Sequence, residues 1–311
     1  PLQSCYKKMM EFLVTFNSSI LPIFIIVGIA FVYNRLVRPD IQQLTNMTLN
    51  VFAPIFLFDA LVRNKIVLDM VLKPMIFMVI LTGALMILAY VIAGIIKANE
   101  NERVSLVLAS SMINVGNFGL PLIYFAFGKG AEAYSMLYFT AFNIPLCTVA
   151  IYISSREKNI RNILIDVAKI PIFHAMVVAL AVTGMNVEVP EAIGKGMELI
   201  GQATIPLLIF ILGLQLSNIE FKIGYIRIII IAVCMRLIVS PAIAGPILDF
   251  LGVSTLEQQV AVIQTSTPAA LLPLMYAIRF NRSPDLLAAI ILATTILSGV
   301  SLTFLIRLMA S

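Results

Sequence analysis

Two short stretches of this chain carry residue types that oppose their surroundings. The first, Asn114-Val115-Gly116-Asn117-Phe118-Gly119-Leu120-Pro121, lies in the middle of an apolar run long enough to cross a bilayer. Glycine costs about 1 kcal/mol against alanine in a helix interior and proline about 3 kcal/mol, so this run opposes a plain helix. Its asparagines must also find partners where water is absent. The second, Thr265-Ser266-Thr267-Pro268-Ala269-Ala270-Leu271-Leu272-Pro273, sets hydroxyls ahead of two prolines five apart. Irregular backbone at membrane depth survives only inside protein or against a polar cavity. The chemistry on offer is binding: an interrupted helix presents free N–H groups and a partial positive charge, which suit a carboxylate. The candidate ligand-binding residues are Asn114, Gly116, Asn117, Gly119 and Pro121, with Ser266, Thr267, Pro268, Ala269 and Pro273. The plainer alternative is a pair of proline-kinked helices whose polar residues hold a bundle together. Two breaks at matched positions favour the binding site.

Other polar residues leave alternatives open. Arg236, near the middle of an apolar span, would attract an anion, or else cap the carbonyls of a broken helix. Asn143 and Gln264 flank the proposed pocket in sequence and either line it or bond across helices. His174, the single histidine, reads first as a satisfied bundle residue and second as a proton relay. Asp59 and Arg63, four apart, read as an interfacial ion pair. Ser283-Pro284-Asp285 reads as the cap and acidic first turn of the last helix. No nucleophile–base pair or His/Asp/Glu cluster appears, which argues against an enzyme. Cys5, Cys147 and Cys234 have no paired or metal-ligand spacing, so no metal or cofactor is expected.

The elements that must position these residues follow from composition. Of 311 residues, 60% are hydrophobic and 12% charged, and the mean hydropathy is +1.02. Met75 to Ile96 holds no charge and exceeds the roughly 20 residues that cross a hydrocarbon core. The chain therefore reads as an all-α integral membrane protein, with the lipid bilayer as its solvent. Its net charge of +5 is spread over short loops, which speaks against nucleic acid. Residues 1–8 read as a remnant ahead of a native start at Met9 or Met10. Ten spans are expected near 12–33, 41–62, 72–96, 104–126, 133–154, 162–183, 193–216, 223–249, 257–278 and 285–308. Loop cations, including Arg35, Arg38, Lys97, Arg103, Arg156, Lys158, Arg161 and Lys222, favour both termini outside the cytoplasm.

The two halves repeat. Pro121 and Pro273 stand 152 residues apart within Leu-Pro-Leu-(Ile/Met)-Tyr, as do Pro54 and Pro206, and further matches of Pro22-Ile23-Phe24 and Ala93-Gly94 fall in the same order. Five spans is an odd number, so the second half enters the membrane from the opposite face. The result is a 5+5 inverted repeat in which the fourth and ninth helices are broken and cross.

At these residues the chain resembles the auxin efflux carrier family. An asparagine seven residues before a proline, here Asn114 and Pro121, matches its first crossing helix, and Pro268 and Pro273 match its second. Phe280-Asn281-Arg282-Ser283-Pro284-Asp285-Leu286-Leu287 is similar to the stretch before its last helix, and Leu49 to Leu57 to its second. The long cytoplasmic loop of the plant carriers shrinks to Ser155–Arg161, as in a compact prokaryotic type, and Ala269-Ala270 replaces the family's glycine. The resemblance implies a scaffold, dimeric, from residues 1–70 (spans 1 and 2) and 161–220 (spans 6 and 7). It implies a mobile transport domain from 71–160 (spans 3–5) and 221–311 (spans 8–10), moving like an elevator. It also implies a distant relation to bile-acid sodium symporters. The expected function is secondary transport of a small organic anion, a mono- or dicarboxylate, across the cell membrane. The alternative is a membrane receptor that binds without net transport. The relation to bile-acid sodium symporters implies sodium coupling, although no acidic residue falls within the proposed crossing, and proton coupling and uniport driven by membrane potential are equally open.

Overall fold

The computed structural model describes residues 2–154, 169–219, 225–279 and 283–310, and within them every regular element is helical. Arg156, Lys158, Arg161, Lys222, the shortened loop 155–161, the start of the sixth expected span and Phe280-Asn281-Arg282 lie outside the described residues. Helix α1 runs from Leu2–Thr15 through a π-helical turn, Phe16–Ile20, into Leu21–Val37, so it begins well before the expected residue 12. It is followed by α2 (Ile41–Arg63), α3 (Leu68–Ile95), α4 (Glu100–Ser111) and α5 (Leu120–Phe127). Then come α6 (Glu132–Ser154), α7 (Pro171–Gly184), α8 (Glu191–Leu216) and α9 (Ile226–Leu251). The chain ends in α10 (Thr255–Thr265), α11 (Leu272–Arg279) and α12 (Pro284–Ala310). Among the described residues, six helices are long and apolar enough to cross a membrane: α2, α3, α8 and α9 whole, with Met9–Val37 of α1 and Pro284–Met309 of α12.

Local chemistry explains where these helices start. Asp40 caps α2 by accepting from the Gln43 N–H, and Ser254 caps α10 by accepting from that of Glu257. Asn99 and Glu102 close a reciprocal capping box at the start of α4. Proline also shapes helix interiors. Four π-helical turns, Phe16–Ile20, Thr48–Phe52, Val115–Gly119 and Met235–Val239, each end two residues before a proline: Pro22, Pro54, Pro121 and Pro241. Proline offers no N–H to the carbonyl four residues back and its ring crowds that carbonyl. The turn ahead of it widens, as in the bonds from Leu21 N–H to Phe16, Ala53 N–H to Thr48 and Ser240 N–H to Met235. Pro74, Pro145, Pro206 and Pro246 sit inside α-helix without such a turn.

The helices pack in two groups. Helix α8 lies against α1 and α2, and α7 against α2. At Gly213 a side chain would bring a Cβ within 2.4 Å of the Val27 carbonyl and 2.6 Å of Ala30, so glycine sets how closely α8 approaches α1. Asn34 ties the same pair by donating to Ser217, Asn218 and the Leu214 carbonyl. In the second group α3 packs on α4 and α6, α9 on α3, α4, α10 and α12, and α6 on α10 and α11. Outward faces stay apolar, as at Ile25, Ile29, Val32 and Leu36 of α1 and Ile296, Val300 and Phe304 of α12. Such faces suit hydrocarbon and no aqueous surface.

Candidate functional site

The two interrupted segments meet. The chain leaves the helical path at residues 112–114 and again at 268–270, past the end of α10; Ile113 and Ala269 pair as an antiparallel bridge. Asn114 N–H donates to the Pro268 carbonyl and Ala270 N–H to that of Met112, both at 2.9 Å. Each broken strand thus satisfies the other's backbone where water cannot. Ala269 N–H is taken by the Thr294 hydroxyl of α12 at 3.2 Å.

The sequence placed the first interruption at residues 114–121, whereas the non-helical backbone occupies 112–114 and residues 115–121 already wind through a π-helical turn into α5. The glycines answer to close approach. A Cβ at Gly116 would lie 2.7 Å from the Phe139 ring, and one at Gly119 would lie 2.8 Å from Gln264 Cγ. Pro121 follows the π-helical turn Val115–Gly119 inside a continuous helical run, whereas Pro273 is the second residue of α11, where a missing N–H costs nothing.

The side chains divide into those spent on the fold and those left over. Ser266 and Thr267 donate back to the Val262 and Gln264 carbonyls at 2.5 and 2.7 Å, closing the end of α10. Gln264 donates to the Val115 and Ser135 carbonyls and accepts from the Ser135 hydroxyl, clamping the turn before α5 to α6. Asn143 donates to Phe139 of its own helix, and its amide is not brought to the crossing. Asn117 reaches across to Gln215 of α8 at 3.5 Å. Asn114 is 6% exposed, and its side-chain nitrogen is buried with no hydrogen-bond partner. A buried unpaired donor costs about 1–3 kcal/mol, which a ligand acceptor would recover.

Arg236 of α9 is fully buried and gathers the opposite ends. It donates to the Ser110 carbonyl at the end of α4 (2.6 Å), to the Thr267 carbonyl (3.1 Å), to the Thr265 carbonyl and to Ser240 (2.7 Å). The C-terminal, negative ends of both first half-helices therefore share one guanidinium. Neither the run from Val115 into α5 nor α11 has an acidic residue in its first turn. Arg236 has no carboxylate partner among the described residues. The crossing holds a buried guanidinium and a free amide donor.

A cavity of about 340 Å³ lies in the seam beside α5, with Ile26, Phe56, Tyr124 and Pro206 in its wall. Asp59, Arg63, Lys129 and Glu198 stand around it. Arg63 bonds Asp59 at 2.5 Å and Glu198 at 3.1 Å, while Lys129, between α5 and α6, reaches Glu198 at 3.4 Å. Gln215, Ser135 and Thr294 carry no pattern in the sequence that separates them from other polar residues in apolar helices. Their roles come from helix register in space.

Long apolar helices around two interrupted ones define a multi-pass membrane protein of transporter type. The family model for membrane transport proteins matches residues 15–158 and 157–306. The chain belongs to this family, that of the auxin efflux carriers. It is 29% identical to an uncharacterized transporter of Methanocaldococcus jannaschii over 68% of this chain and 70% of that one. It is 28% identical to an uncharacterized transporter of Methanothermobacter thermautotrophicus over 85% and 87%. Auxin efflux carrier component 1 of Arabidopsis thaliana is 29% identical over 40% of this chain and 20% of the plant protein.

Proposed function

We propose that the protein is a secondary transporter that moves a small organic anion, a mono- or dicarboxylate, across the cytoplasmic membrane by alternating access. The observation that carries this reading is the charge arrangement of the crossing. Arg236 holds both half-helix C-termini, and beside them the Asn114 amide is buried with no acceptor of its own. An anionic group fits that vacancy; a cation would meet positive dipole ends and a buried guanidinium. The protein performs no bond chemistry in this account.

The ten expected spans form two inverted halves of five, with α4–α5 and α10–α11 as the broken fourth and ninth. Helices α1, α2, α7 and α8 act as the scaffold, which dimerises, and α3–α6 with α9–α12 as the moving body. The crossing travels as part of that body. The polar contacts it must give up include Asn117 to Gln215 at 3.5 Å, the exposed Lys129–Glu198 pair at 3.4 Å and the Arg307–Glu11 pair between α12 and α1. Both termini lie outside the cytoplasm. The driving force is a proton or sodium gradient or the membrane potential, and ion replacement in the same flux assay distinguishes the three.

The test is uptake of a panel of labelled mono- and dicarboxylates into proteoliposomes by the parent chain and by Asn114→Ala. Uptake of at least one carboxylate, lost in the variant while folded yield is kept, supports the proposal. Undiminished uptake by the variant sinks the site. Saturable binding that never yields net uptake replaces the transporter with a receptor.

A further inference from the structure

Away from the crossing, α3, α4 and α6 enclose an apolar hollow of about 350 Å³. Met86, Ile87 and Val91 of α3, Val104 and Val107 of α4 and Ile153 of α6 form its walls. Ile87 and Val91 are largely exposed, so the hollow lies on a surface that hydrocarbon covers in a bilayer. Its polar feature is Arg103. The capping box at Asn99 and Glu102 fixes the start of α4 and sets this residue in the first turn. The guanidinium lies over the Tyr90 ring, 5.1 Å from its centroid. Its Nε is buried without a hydrogen-bond partner, and Arg103 makes no ion pair among the described residues. Glu102, next in sequence, already has its carboxylate on the Asn99 N–H.

A guanidinium with unused donors at the head of an apolar hollow matches the two ends of one molecule. We propose that this hollow is a binding site for an anionic phospholipid, its phosphodiester on Arg103 and one acyl chain against α3, α4 and α6. The apolar walls suit the carbon of an acyl chain, which adds favourable burial with each methylene it covers. The headgroup phosphate supplies the missing acceptor, and basic pockets at helix ends are a recurrent means of holding such headgroups. Tyr90 adds a ring at the headgroup level, where amphipathic aromatics settle. The Asn114 crossing plays no part, so the lipid site stands or falls independently of the transported substrate.

The probes are phosphatidylglycerol and phosphatidylcholine of identical acyl chains, added to delipidated full-length chain and counted by native mass spectrometry. Phosphatidylglycerol should bind on the order of tenfold more tightly, the size of one charge-assisted hydrogen bond. Arg103→Gln should weaken phosphatidylglycerol more than phosphatidylcholine and bring the two to the same level. Val104→Trp, which fills the hollow and keeps the guanidinium, should weaken both, and it carries the test if Arg103→Gln fails to fold. Equal binding of the two lipids by the parent chain overturns the proposal, as does a phosphatidylglycerol preference that survives Arg103→Gln or binding that survives Val104→Trp. Displacement of phosphatidylglycerol by equimolar inorganic phosphate also overturns it, since the site would then read an anion without its chain.

Discussion

Replacing Arg236 by methionine removes the one side chain that joins α9 to the ends of both α4 and α10. Three carbonyls are at stake, and they do not lose equally. Thr265 O keeps the Ser240 hydroxyl at 2.9 Å, whereas Ser110 O and Thr267 O lose the arginine donor at full burial. Two orphaned acceptors cost about 1–3 kcal/mol each. Loss of a cation between two half-helix C-termini adds up to about 2 kcal/mol. Methionine recovers part of this because no charge needs desolvating. A net loss of about 2–5 kcal/mol follows, and chains of a few hundred residues lose roughly 2–4 °C per kcal/mol. Thermal unfolding in detergent should therefore show a Tm lower by about 10 °C. Arg236→Lys keeps the charge but cannot span three carbonyls and Ser240, so it should fall in between. A methionine variant as stable as the parent would refute the idea that Arg236 holds the half-helices together.

Gly116→Ala and Gly119→Ala should each destabilise by about 1–3 kcal/mol, because the added methyl would lie 2.7 Å from Phe139 or 2.8 Å from Gln264; denaturation curves check this, and Gly94→Ala, with open space around it, serves as the neutral control. Lys129→Ala should change the uptake rate by no more than about fivefold, as expected for an exposed pair, since Arg63 keeps Glu198 at 3.1 Å. A loss of uptake beyond about tenfold would show that Lys129 does more than pair with Glu198.

What the sequence revealed was backbone disposition more than side-chain partnership. Pro121, Pro268, Pro273 and the glycines at 116 and 119 announce special backbone because few residues tolerate it, and the two stretches do meet through Asn114–Pro268 and Ala270–Met112 hydrogen bonds. The position of the break shifted by a few residues, since the glycines answer to Phe139 and Gln264 from other helices. Arg236 was visible as a buried charge, but its partners are backbone carbonyls, which carry no residue code. Ser266 and Thr267 looked like ligand donors, yet a hydroxyl near a helix end finds a carbonyl of its own turn first. Gln215, Thr294 and Ser135 depend on the register of helices far apart in sequence, and no local pattern announces that.

The most direct test of a carboxylate held between two half-helix N-termini is to build one in. Asn114→Asp sets a carboxylate at a position 6% exposed, where the dipole ends favour it. The parent chain, screened against mono- and dicarboxylates, should gain stability with its substrate, about 2.7 kcal/mol at 100-fold over Kd. The account predicts that Asn114→Asp folds as well as the parent and gains nothing from that substrate. The same ligand-induced rise in Tm in both chains would contradict it.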